Sequence, residues 1–109
     1  MERRKHPRIP AQLQGFLLGN SHEVEGHTVD LSLGGAQFDC DMEVYPGKVI
    51  RVRLTIQGLD QSLDIQEAKV QWVGDDTFGV EFKNVKPDEL DELEQLIDDY
   101  IALEESGHA

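Results

Sequence analysis

Residues 49–56 read Val-Ile-Arg-Val-Arg-Leu-Thr-Ile, an alternation that fits a half-buried strand and little else. Ile50, Val52, Leu54 and Ile56 fall on one side, and Arg51, Arg53 and Thr55 on the other. A strand with one apolar face needs further strands to complete a sheet and a core to cover that face. The rest of the chain must supply both, which restricts the fold to sheet-based architectures.

The flanking sequence repeats this theme in short runs cut by turn clusters. Leu13–Gly19 is mostly apolar, and Gly19-Asn20-Ser21-His22 is a turn cluster before a mixed alternation over Glu23–Asp30. Asp30-Leu31-Ser32-Leu33-Gly34-Gly35 interrupts the pattern. Ala36–Asp41 then alternates small or apolar residues against polar ones, and Pro46-Gly47 marks another turn. After a loop at Gly58–Ser62, Leu63 and Ile65 occupy one parity while Ala68, Val70 and Trp72 occupy the other. A strand that keeps its core face must absorb that slip, so the pattern predicts a β-bulge or break near Gln66-Glu67. The parity also groups Trp72 with Val70 on the core side. Gly74-Asp75-Asp76 reads as a hairpin turn, leading into Phe78, Val80 and Phe82 alternating with Gly79, Glu81 and Lys83.

Pro87 opens a different regime. Leu90, Leu93, Leu96, Ile97, Tyr100 and Ile101 recur at helical spacing, with Pro87 suited to the first helical position. The helix predicted over about 87–105 carries nine carboxylates and no Lys or Arg between residues 88 and 105. Such a charge run reads first as a solvated outer face, with partner binding as the sharper reading. The expected architecture is mostly β: a six-stranded antiparallel split β-barrel with one C-terminal α-helix. At 109 residues the chain is read as a single domain, with a flexible basic arm over 1–12 and the barrel and helix over 13–109.

The charge pattern narrows the function. Formal net charge is -12, which disfavours duplex nucleic acid and anionic membrane as partners. The one cysteine, Cys40, forbids an internal disulfide, and no apolar run approaches the ~20 residues of a membrane span. No secretory signal is recognisable, so a soluble cytoplasmic protein is expected. The histidines at 6, 22, 27 and 108 have no metal-ligand spacing, and neither a nucleophile elbow nor a phosphate loop is present. The expectation is no enzyme, no metal and no cofactor.

Against the acidic background, Arg3-Arg4-Lys5-His6-Pro7-Arg8 concentrates four of the ten basic residues. Pro7 and Pro10 keep this arm from being helical, and Arg4 and Arg8 in extended geometry stand up to ~13 Å apart. Two guanidinium forks at that separation suit an anion gripped from two sides, and the same forks match guanine edges. In isolation, a solvated basic tail is the favoured reading of the arm. The second stretch is Asp30-x-Ser32-x-x-Gly35. In extended geometry Asp30 and Ser32 leave one face, an acidic acceptor suits the N–H donors of guanine, and Gly35 permits close backbone approach. A simple turn anchored by Leu31 and Leu33 is the plainer reading of that stretch. A cationic arm paired with an acidic-hydroxyl turn makes sense for a ligand carrying both phosphates and guanine edges.

In order and spacing, Arg4-x-x-x-Arg8 followed by Asp30-x-Ser32-x-x-Gly35 resembles the paired motif of PilZ domains, bacterial receptors for cyclic di-GMP. Ala68–Val73 and Phe78–Phe82 resemble that family's last strand pair, so the likeness spans essentially the whole chain. The resemblance implies a ligand on the outer barrel wall under the folded arm. Arg4 and Arg8 would hold guanine and phosphate, while Asp30, Ser32 and Gly35 would line the other side. Arg3 and Trp72 are secondary candidates, Trp72 as an aromatic surface near a base. The proline-punctuated, charge-dense arm has little apolar content to hold it down, so relay to an unidentified protein partner by ordering of the arm is expected, in a monomer or weak homodimer, with motility or biofilm regulation as the setting. A PilZ-like interaction scaffold that binds no nucleotide is the alternative, and a barrel for single-stranded nucleic acid is disfavoured by the acidity.

Overall fold

The structure is a computed structural model that describes residues 9–10, 13–19, 23–55 and 62–106. A two-residue strand β1 (Ile9–Pro10) is followed by β2 (Gln14–Leu18), β3 (Glu23–Leu31), β4 (Gly35–Asp39), β5 (Val49–Thr55), β6 (Ser62–Val73), β7 (Thr77–Phe82) and helix α1 (Pro87–Ser106). All pairings are antiparallel, and they run β1-β3-β2-β5-β6-β7-β4 with β4 returning to β3. The six longer strands therefore close a barrel, as the short alternating runs implied, and α1 follows it. β1 extends the edge of β2 along β3, with Ile9 opposite Leu31 and Pro10 opposite Asp30.

Inside the barrel lie the residues that the alternation assigned there. Ile50, Val52 and Leu54 from β5 meet Leu63, Ile65, Ala68 and Val70 from β6, with the Phe38 and Phe78 rings tilted at 37° and their centroids 5.9 Å apart. Leu93 and Leu96 of α1 join the same core, while Leu90 and Ile101 remain over a third exposed. Pro87 starts the helix, Asp88 and Glu89 occupy its first turn, and the Glu89 carboxylate accepts from the Lys86 N–H. Turn chemistry is as read: Gly47 holds φ of 97° after Pro46, and the Gly74 N–H donates to the Thr77 carbonyl at 2.7 Å.

The predicted bulge is present. Ile50 faces Ala68 and Val52 faces Ile65, so Gln66-Glu67 absorb the extra residue. Two further bulges are not legible in the alternation. Thr28 pairs with Phe38 but Asp30 with Gln37, which leaves Val29 extra in β3. Val70 pairs with Val80 but Trp72 with Gly79, which leaves Gln71 extra in β6.

Candidate functional site

The two unforeseen bulges act on one surface. Up to Thr28, the even-numbered residues of β3 turn toward the interior, and Thr28 is fully buried. The extra residue at Val29 resets the alternation, so Asp30 lies beside Gln37 on the outer wall and Leu31 returns to the core at 0% exposure. At Gln71 the same device resets β6. Trp72 leaves the side it would share with Val70 and stands on the outer wall at 43% exposure, which corrects the core placement read from parity.

Both re-aimed side chains fall in one register row. Trp72 pairs with Gly79, Gly79 with Gln37, Gln37 with Asp30, and Asp30 with Pro10. The row crosses β6, β7, β4, β3 and β1 in turn. With neighbouring strands roughly 4.8 Å apart, Trp72 and Asp30 stand about 14 Å from each other on the curved wall. The indole at one end covers Gly79, the carboxylate stands at the other, and Gln37 lies between them. That glycine is required by the indole itself, because a Cβ at position 79 would lie 2.3 Å from the Trp72 Nε1. The indole thus rests over Gly79 of β7. Gln37 and Gly79 were not singled out from the sequence. Their place in the site depends on strand order, which no local pattern states.

Ser32 and Gly35 sit behind this row. The strand ends at Leu31, so Ser32 does not share the face of Asp30 as an extended chain would have it. Ser32 is 3% exposed, and its hydroxyl donates to the Gly35 carbonyl at 3.3 Å and accepts from the Gly34 N–H at 3.2 Å. The Ser32 N–H also donates to the Gly35 carbonyl, and the Phe82 N–H to the Gly34 carbonyl, both at 2.9 Å. Gly35 does allow a close approach, but the neighbour is β7: a Cβ there would lie 2.2 Å from the Val80 carbonyl oxygen. The turn is therefore a compact, internally bonded support that fixes where β3 ends and Asp30 stands. Arg3, Arg4 and Arg8 lie outside the described residues, as do the histidines at 6, 22 and 108. The sequence enters β1 immediately after Arg8, and Ile9 is opposite Leu31, one residue from Asp30.

Elsewhere the described residues hold little reactive chemistry. The Cys40 thiol is pushed up to about 11 by burial and by the carboxylates of Asp41 and Asp39, so it stays protonated at neutral pH. His27 is exposed and lies 3.6 Å from the Asp39 carboxylate. Among the described residues no cluster of three His, Cys, Asp or Glu side chains is placed to hold a metal, and no helix is long and apolar enough to cross a membrane.

A family model for the PilZ domain matches residues 2–99. The chain belongs to the PilZ domain family. Among solved structures it is similar to YcgR of Escherichia coli in complex with c-di-GMP, at TM-score 0.76 and 20% identity over 98% of this chain and 48% of that one. It is also similar to the Bacillus subtilis inhibitor of motility MotI/DgrA, at TM-score 0.72 and 18% identity over 94% and 53%. The PilZ domain of CeSA from a cellulose-synthesizing bacterium matches at TM-score 0.67 and 22% identity over 90% and 98%. This PilZ chain thus spans about half the length of the first and second of these structures and nearly all of the third. A comparison with curated proteins found no match.

Proposed function

We propose that this PilZ domain is a receptor for cyclic di-GMP, held on the outer wall along the Trp72–Gly79–Gln37–Asp30 row. The observation that carries the reading is the pair of bulges that turn Asp30 and Trp72 outward onto one row, beside the strand that continues from Arg8. Asp30 accepts the N–H donors of a guanine, and the Trp72 indole offers a flat apolar surface to a base. Ser32 and Gly35 serve by building the turn that presents Asp30. Arg4 and Arg8, with Arg3 in support, close over the ligand and take its phosphates and the second guanine edge. Family membership and the likeness to a structure solved with c-di-GMP support the same ligand.

Trp72 supplies a direct test. It is the only tryptophan in the chain and is 43% exposed, so its fluorescence reports on this wall alone. Titration with cyclic di-GMP is expected to shift or quench that emission at the concentrations where calorimetry shows heat. Trp72→Ala is expected to weaken binding by roughly 5- to 100-fold, the worth of one base stacked on an aromatic ring. Heat of binding with unchanged emission would move the ligand off this row. No heat at tens-of-micromolar protein would favour an interaction scaffold, a role in which the bonded turn has only a structural task.

The output we propose is ordering of the arm, which creates a new surface for a protein partner. Amide exchange across residues 3–9 is expected to slow when cyclic di-GMP is added; equal exchange with and without ligand would rule this relay out.

A further inference from the structure

The opposite wall of the barrel carries a different pattern. On β2, Gly15 and Leu17 are buried, so Phe16 and Leu18 turn outward and lie half-buried on the surface. Phe16 is paired with Glu25 on one side and Arg53 on the other, and Leu18 with Glu23 and Arg51. All four charged residues are exposed. A short apolar seam therefore runs along β2, with an acidic rail on β3 and a basic rail on β5. A shallow depression of about 90 Å³ opens over the seam and the basic rail. Arg53 is partly engaged, since its Nε donates to Asp64 at 3.1 Å, but the rest of its fork remains to take a second carboxylate.

From this pattern we infer that the wall is a contact surface for a second copy of the chain. Two sheets that pack face to face align their strands to within about 30°. A two-fold axis lying between them and parallel to β2 exchanges left and right while preserving position along the strand. Phe16 and Leu18 then meet their own counterparts. Glu25 of one copy stands over Arg53 of the other, Glu23 over Arg51, and each pair occurs twice. The other in-plane axis, perpendicular to β2, would set Glu over Glu and Arg over Arg. The charges thus select one of the two geometries, and an isologous pair satisfies both rails at once. Two apolar residues per copy fall well short of a standard interface, and two chains of net charge -12 repel, so the dimer is weak. This wall and the proposed ligand row face different ways, so the inference does not depend on the ligand.

Salt is a poor probe, because it screens both the repulsion between chains and the Glu–Arg pairs. Charge exchange separates them. In sedimentation equilibrium up to about 1 mM protein, the wild type is expected to show a monomer–dimer equilibrium. R51E/R53E and E23R/E25R are each expected to weaken it about tenfold or more, because each variant places like charges over like. The E23R/E25R result is the informative one, since that variant is less acidic overall and nonspecific repulsion alone would make it dimerise better. An equimolar mixture of the two variants is expected to regain association as a heterodimer. A wild type that stays monomeric at these concentrations overturns the inference. So do charge-exchanged variants that dimerise as the wild type does, or folded variants whose mixture gains nothing over either alone.

Discussion

Gly35→Ala is expected to be among the most destabilising single-methyl substitutions in this chain, at about 2–4 kcal/mol. The added Cβ would lie 2.2 Å from the Val80 carbonyl oxygen and 3.3 Å from the Glu81 Cα, both in the backbone of β7. No flexible side chain can swing aside, so the strand must move by about an ångström. That motion is opposed on both flanks: Val80 pairs with Ala36 and with Val70, and the Phe82 N–H is bonded to the Gly34 carbonyl. For a domain near 100 residues, the loss corresponds to roughly 10–25 °C in Tm. Gly47→Ala is the useful contrast. Nothing lies within 4 Å of a Cβ there, and only the positive φ of 97° is at stake, so about 1 kcal/mol is expected. Thermal unfolding of both variants by circular dichroism checks the ordering. Equal costs would mean that β7 yields freely, and that the turn does not hold its neighbours in place.

The same turn shows what the sequence could reveal and where it stopped. The bulge at Gln66-Glu67 was readable because Leu63 and Ile65 on one side, and Ala68 and Val70 on the other, are unambiguous core residues whose parities disagree. The bulge at Gln71 was hidden because Trp72 and Val73 are both apolar, so either could continue the buried face. Trp72, grouped with Val70 by parity, in fact stands outside. At Val29 the alternation was obscured in another way. β3 is only partly apolar, and the break expected after Asp30 comes one residue later, after Leu31. Extended geometry assigns Asp30 and Ser32 to one face, whereas the strand ends at Leu31 and divides them. The row itself joins residues from 10 to 72 through the order β6-β7-β4-β3-β1, and that order is a property of barrel closure rather than of any local stretch. Arg4 and Arg8 lie outside the described residues, so their part in the site rests on charge, spacing and the motif's likeness to the family.

Loss of either half of the proposed clamp is expected to reduce cyclic di-GMP affinity by one to two orders of magnitude, with long-range electrostatics adding to the loss in one case and opposing it in the other. Arg4→Ala removes a cation that faces a ligand with two negative charges, together with a bidentate contact worth about 1–3 kcal/mol, so roughly 10- to 100-fold is expected. Part of that loss is long-range, and it should shrink as salt shortens the Debye length below about 8 Å. Asp30→Ala removes an anion from the same wall. Electrostatics alone would then strengthen binding of a dianion. A loss of affinity in Asp30→Ala therefore reports a direct contact: hydrogen bonds from a guanine edge to a carboxylate, worth about 1.5–3 kcal/mol. Asp30→Asn keeps one acceptor oxygen without the charge and should fall between the two. Calorimetry of wild type, Arg4→Ala, Asp30→Ala and Asp30→Asn at low and high salt separates these terms. Tighter binding by Asp30→Ala would show that Asp30 merely repels the ligand. The guanine would then have to be read by other groups on the row, with Gln37 the nearest in register.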